Sequence, residues 1–368
     1  MLRRIKSKLF VGKKPFEIPT VSYFGCADEL IAPLVSGWVS YTDAGDNPVT
    51  LKITKGKEVQ LVIANIERND VFLSGQVESP FCGFSAQFSS DNFYKAEIEV
   101  LGTIGNLTKP APNYKDRKVF FIHIPKAAGS SVNDLVSSAI SDSYYTHIEG
   151  MRDQWDEIKN AKFLSGHIRY SEYQQVFSKH DYVVFAFFRE PYSHLKSHLN
   201  WVRRLAEPEL IKSRKSHSDI VHKIADNLAK LDFTSSDNLS SYAKSLKPIA
   251  YGLFDNCQVR FLANVKPNEL VGQEHLDQAI KNLRHLHFVG ISEYSKESQT
   301  QLLALLGLDM KKTEAKSNVN SYDYGLDITD ENVLLALKPL VQFDLQLYKE
   351  ANKIFLNQAE SISGTDHA

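Results

Sequence analysis

An apolar run, Lys118-Val119-Phe120-Phe121-Ile122-His123-Ile124, leads directly into Pro125-Lys126-Ala127-Ala128-Gly129-Ser130-Ser131. After it Val132, Leu135, Val136, Ala139 and Ile140 recur at helical spacing. The run reads as a buried strand and the recurrence as a helix. A strand that turns within a few residues into a helix restricts the fold severely, because the helix crosses back over a sheet and returns the chain to a parallel strand. Residues 162–165, 182–188 and 287–291 are further buried-strand candidates, with helix-length patterns between them. The alternation predicts an α/β domain whose parallel, P-loop-like sheet is flanked by helices. Its last helix is expected to open at Thr329 as N-cap and to run into Ile354.

The front of the chain has a different rhythm. Residues 49–53, 59–63 and 94–100 are β-like, with turn residues at Asp43-Ala44-Gly45-Asp46 and Lys55-Gly56-Lys57 and no convincing amphipathic helix between them. A small all-β sandwich is the economical expectation. Residues 108–116 carry two prolines and no periodicity, as a linker does. The expected organisation is a basic extension over 1–20, a β-sandwich over 21–110, the α/β domain over 117–357 and a flexible polar tail over 358–368. A chain of 368 residues holds two such domains comfortably.

Composition excludes little but narrows the partners. Forty-three basic and 44 acidic residues leave a formal charge of −1, so no global field points to nucleic acid or to a membrane. The basic stretch Met1–Lys14 lacks an apolar run of signal or membrane-span length, which predicts a cytoplasmic protein with at most peripheral membrane association. Cys26, Cys82 and Cys257 are odd in number and lack metal-ligand spacing, so free thiols in a reducing compartment and no metal are expected, with a single disulfide as the alternative.

Chemistry concentrates where strands are expected to end. At Pro125–Ser131 a tight turn into a helix presents backbone N–H groups and a positive dipole end to an anion. Gly129 allows close approach, Ser130 and Ser131 offer hydroxyls, and Lys126 adds a charge. The lysine precedes the glycine, so this is not a Walker A loop. A serine-capped turn with a solvent lysine is the plain alternative. In a second segment, the strand over 183–188 ends at Arg189-Glu190-Pro191, and Pro191 suits a first helical turn. Arg189 and Ser197, eight positions apart, can converge on one phosphate. Between them Ser165-Gly166-His167 places a histidine at a strand end, on the rim where α/β sheets bind ligands. Histidine suits activation of a hydroxyl because its pKa lies near working pH. His123 reads as packed, whereas His147, His194 and His198 stay open as rivals for the base.

Taken together these segments resemble the carbohydrate sulfotransferases that use 3'-phosphoadenosine 5'-phosphosulfate (PAPS), of the Golgi type and similar to heparan and uronyl 2-O-sulfotransferases, in a bacterial form. Phe121 to Ser131 resembles the family's 5'-phosphosulfate loop, with Ala127 where serine or threonine is common. The Arg189–Ser197 segment resembles its 3'-phosphate site, with His194 or Lys196 where a second arginine is usual. Ser165-Gly166-His167 resembles the segment whose histidine takes the acceptor proton. Asp255-Asn256-Cys257-Gln258-Val259-Arg260-Phe261-Leu262 and Phe288-Val289-Gly290-Ile291-Ser292-Glu293 match two further family segments. The pattern extends from Val119 to about Phe355.

The resemblance implies His167 and Lys126 as catalytic residues, the latter stabilising the leaving group. It implies PAPS bound by Lys126, Ala127, Ala128, Gly129, Ser130, Ser131, Arg189, Ser197 and Gly290. Arg169, Gln258 and Arg260 are implied for substrate; an internal salt bridge is the alternative for Arg260. A carbohydrate or glycoconjugate acceptor is the expected partner. The basic stretch Lys196–Lys230 could receive an anionic glycan, although such runs are usually solvated faces. In front, Ser36-Gly37-Trp38, Glu67–Val71 and Gly83-Phe84 resemble β-sandwich modules of bacterial glycan-modifying proteins, with Trp38 and Phe84 read as core. A nucleotide-dependent kinase or NTPase is a rival reading, as is a glycan-binding protein on a degenerate transferase fold.

Overall fold

The computed structural model describes residues 22–30, 33–42, 47–89, 92, 96–103, 106–107, 114–140, 143–215, 217–308 and 322–363. The basic extension over 1–20, the turn Asp43–Asp46 and most of the linker lie outside them. The chain divides into two compact units, Met1–Pro110 and Ala111–Ala368.

The first unit holds two antiparallel sheets. One is β1 (Tyr23–Glu29), β2 (Leu34–Tyr41) and β5 (Gly83–Gln87), in that order. The other runs β4 (Glu58–Ile63), β3 (Thr50–Lys55), β6 (Ala96–Val100), β7 (Asn106–Leu107). In β3 and β6 buried and accessible positions alternate, the signature of strands with one face inward. Val35, Val39 and Phe84 of the first sheet share a core with Leu51, Ile53 and Ile98 of the second. Trp38 packs on Val71 and Cys82. Contrary to the helix-free expectation, Asn69–Leu73 forms one helical turn, too short to leave a periodic signal.

In the second unit five parallel strands lie in the order β12 (Phe288–Ile291), β11 (Tyr182–Phe188), β8 (Lys118–Ile122), β10 (Phe163–Gly166), β9 (Tyr144–Tyr145). Every residue of β10, β11 and β12 is buried, because helices cover both faces. Phe120, Ile122, Leu164, Val184 and Phe188 point into one core with the helices Cys257–Leu262 and Gln342–Ser363. Phe121, Phe163, Phe185 and Phe187 point into the other, with the helices Gly129–Ile140 and Ser295–Leu306. Ile122 at the end of β8 pairs with both Gly166 and Ala186, so the chain leaves three neighbouring strands on one rim.

Two helical expectations are corrected. The segment read as one helix from Thr329 is Glu331–Leu337, a 3-10 turn over Lys338–Leu340 and a longer helix Gln342–Ser363. Pro339 cannot donate to the helical ladder and breaks it, and Asp330, not Thr329, caps the first piece by accepting from the Asn332 N–H at 2.8 Å. The polar segment from Gln358 is not a tail at its start. The Gln358 amide accepts from the Val289 N–H at 3.0 Å and donates back at 3.4 Å, satisfying the open side of the edge strand β12. Cys26, Cys82 and Cys257 are free thiols. Among the described residues no helix is long and apolar enough to cross a membrane.

Candidate functional site

The turn after β8 is unusual in its backbone. Lys126 and Ala128 both lie at φ 64°, left-handed for residues with side chains, while Ala127 between them does not. Left-handed backbone costs about 1–2 kcal/mol per residue, and alternation of hand aims successive N–H groups at one point, the geometry of an anion nest. The N–H groups of Gly129, Ser130 and Ser131 open the helix Gly129–Ile140 and have no intrahelical partner. The Ser130 and Ser131 hydroxyls make no hydrogen bond among the described residues. Ala127 is fully buried in the core beneath, so it can offer a ligand only its backbone.

Gly129 is required by a close approach. A Cβ there would stand 1.7 Å from His123 Nε2. The His123 ring stacks on Phe121, centroids 5.3 Å apart and 11° from parallel. Burial, then the charges of His167, His147 and Lys126, push the His123 imidazole well below its ordinary pKa, so it is neutral.

Two cations meet at this turn. Arg189, at the end of β11, donates from Nη1 to the Lys126 carbonyl at 3.1 Å. Burial and the neighbouring guanidinium lower the Lys126 pKa. Neither side chain has a carboxylate partner among the described residues, so an anion would stabilise both. Ser197, on the helix Pro191–Arg204, makes no hydrogen bond to Arg189 among the described residues. That helix's first N–H groups are also taken, since the Glu190 carboxylate accepts from Tyr192 and Ser193 at 3.1 and 2.7 Å.

His167 follows β10 directly. Its Nδ1 lies 2.7 Å from the His123 carbonyl. A carbonyl only accepts, so Nδ1 carries the hydrogen and Nε2 of the neutral ring keeps its lone pair. The His167 backbone N–H donates to Glu149 Oε2 at 2.9 Å. Gly166 makes this possible: a Cβ on it would meet the same carboxylate oxygen at 2.6 Å. Glu149 therefore fixes the histidine's backbone, and its other oxygen faces His147 Nδ1 at 3.5 Å. Sequence reasoning missed Glu149; its only trace is the missing side chain at Gly166.

Three expected ligand contacts are corrected. Arg260 is 1% exposed and wholly engaged within the protein. It pairs with Asp255 at 2.5 Å, donates to the Asp255 carbonyl at 2.8 Å, and donates further to the carbonyls of Lys266 and Glu269. The salt-bridge alternative is the arrangement found. Gln258, also 1% exposed, clamps the Arg189 backbone: its Oε1 accepts from the Arg189 N–H at 3.0 Å and its Nε2 donates to the Arg189 carbonyl at 2.8 Å. Gly290 is buried, and the space a side chain would fill is taken by the Phe187 ring, 2.6 Å from an added Cβ. The close approach that Gly290 permits is that of the Phe187 ring.

Arg169 is half-buried, with Nη1 donating to the Val265 carbonyl at 2.9 Å. The basic stretch is largely paired. Lys196 meets Asp323 and Arg214 meets Asp226, while Arg203 and Arg204 stack on Tyr324 and Tyr322. Lys212, Lys215, Lys223 and Lys230 remain exposed.

Among the described residues three groups of side chains have metal-like proximity: His147, Glu149 and His167; His194, His198 and Cys257; and Glu269, Glu274 and His275. Scanned against protein-family models and compared with curated proteins, the chain has no match in either.

Proposed function

We propose that the second unit, on a sulfotransferase-type fold, transfers a sulfuryl group from PAPS to a hydroxyl of a carbohydrate acceptor. The observation that carries this reading is the tautomer of His167, fixed by the His123 carbonyl so that Nε2 is free to take a proton. It stands on the same strand rim as two cations that have no carboxylate partner among the described residues, and a turn whose φ values alternate in hand.

The acceptor oxygen attacks sulfur as its proton passes to His167 Nε2. The bond from sulfur to the phosphate oxygen breaks, and 3'-phosphoadenosine 5'-phosphate (PAP) leaves with that electron pair. Lys126 and the N–H groups of the turn stabilise the charge that gathers on the leaving phosphate, in the manner of phosphoryl transfer. Arg189, held in place by Gln258, supplies charge for the nucleotide's 3'-phosphate. Remote binding energy of that kind aligns the reacting atoms. A kinase reading is less favoured, because Lys126 precedes Gly129 in the turn, the reverse of the Walker A order.

The test is PAPS turnover against a panel of surface and capsular polysaccharides in wild type and His167→Asn. Asparagine can keep the donor to the His123 carbonyl while removing the base. Loss of about 10²–10⁴-fold in turnover with PAP affinity retained is expected. Near-normal turnover in the variant would remove His167 as the base. Absence of both PAP binding and turnover in wild type would return the weight to a nucleotide kinase or a glycan-binding protein.

A further inference from the structure

Behind the turn lies a buried trio that the proposed reaction does not use. His194 and His198 are one helical turn apart on Pro191–Arg204, and Cys257 opens the helix Cys257–Leu262. The three are 2%, 1% and 3% exposed. One ring nitrogen of each histidine and the Cys257 sulfur lie within 4.8 Å of one another.

Each histidine has a ring nitrogen to spare. His194 Nε2 donates to the Pro125 carbonyl at 2.7 Å, leaving Nδ1 with its lone pair. A ring nitrogen anchored on a backbone carbonyl while the other binds is the usual setting of a metal-ligating histidine. His198 Nδ1 is fully buried with no hydrogen-bond partner among the described residues. A polar atom left so inside a protein calls for an explanation.

We propose that His194, His198 and Cys257 hold a zinc ion, joining the helix that follows β11 to the helix that carries Gln258. Zinc takes nitrogen and sulfur ligands without a geometric preference from its d electrons, at about 2.0–2.1 Å and 2.3 Å respectively. Tetrahedral ligands at those lengths stand about 3.5 Å apart, so separations within 4.8 Å need to close by at most about 1.3 Å. The Cys257 proton is released on binding, and the thiolate offsets part of the ion's charge. Three protein ligands leave the fourth position for a water. No step of the sulfuryl transfer runs through the ion.

The experiment uses the full chain, stripped with a chelator and titrated with Co²⁺ and Zn²⁺. Wild type is expected to bind one Co²⁺ with a thiolate charge-transfer band and tetrahedral d–d absorption. Cys257→Ser should lose the thiolate band, and His198→Asn should weaken binding by more than about tenfold, the scale already set by supporting partners. Zinc at about a hundredfold over its Kd should raise the wild-type melting temperature by about 5–10 °C and leave Cys257→Ser unmoved. A cobalt complex without a thiolate band would overturn the assignment. So would binding that survives Cys257→Ser and is lost in His147→Ala, which would place the ion at the other histidine pair.

Discussion

Gly129→Ala tests the packing on which the candidate anion turn rests. The added Cβ would stand 1.7, 2.0 and 2.5 Å from three atoms of the His123 ring, where ordinary contact begins at 3.4 Å. The imidazole must therefore retreat by about 1.5 Å or the turn must lift. Retreat is obstructed: the ring lies flat on Phe121, the His123 backbone carbonyl accepts from His167, and the His123 backbone N–H donates to the Gly166 carbonyl at 3.0 Å. Overpacking of a tight core costs about 1–3 kcal/mol, and this geometry belongs at the upper end. At about 2–4 °C per kcal/mol for a unit of this size, the melting temperature should fall by about 6–12 °C. Calorimetric melting of wild type, Gly129→Ala and Gly252→Ala measures it. Nothing lies within 4 Å of a Cβ at Gly252, on the helix Pro248–Phe254. That control should gain about 0.5–1 kcal/mol. Adding His123→Ala to Gly129→Ala should recover part of the loss, a coupling of about 1–3 kcal/mol. A Gly129→Ala protein within about 0.5 kcal/mol of wild type would refute the packing argument.

Two other perturbations follow from the contacts. Gln258→Ala removes both bonds to the Arg189 backbone. It should cost about 1–3 kcal/mol in denaturant melts and weaken PAP binding, although Gln258 touches no ligand; unchanged affinity would deny it a positioning role. His287 Nδ1 accepts the Val184 N–H at 3.0 Å, and burial lowers its pKa. The unfolded chain then binds the extra proton first, so this contribution is whole above about pH 6.5 and is lost as pH falls below it, at up to about 1.4 kcal/mol per unit until the folded ring titrates. His287→Asn, which keeps an acceptor that cannot titrate, should flatten that part of the stability–pH curve, and an unchanged slope contradicts the assignment.

The sequence makes the strand rim legible because buried parallel strands read as apolar runs and the turns leaving them carry charge. Lys126, His167 and Arg189 can be placed at strand ends from that pattern alone. What each neighbouring residue touches cannot be read so. Gln258 and Arg260 stand two apart on a six-residue helix, one bracing Arg189 and the other neutralising Asp255, and the difference arises only from the elements packed against each. The same holds for Gly290, whose missing side chain makes room for Phe187 instead of a nucleotide. Glu149 acts through a single bond to a backbone N–H eighteen residues away, and no local pattern records such a bond. The break at Pro339 was readable in principle, but the flanking helical periods mask it.

Calorimetric titration of wild type and Arg189→Ala with PAP, beside ATP, tests the central claim most directly. Selective PAP binding that Arg189→Ala abolishes or strongly weakens is the predicted result. Equal binding of ATP, or no PAP binding by the folded wild type, contradicts it.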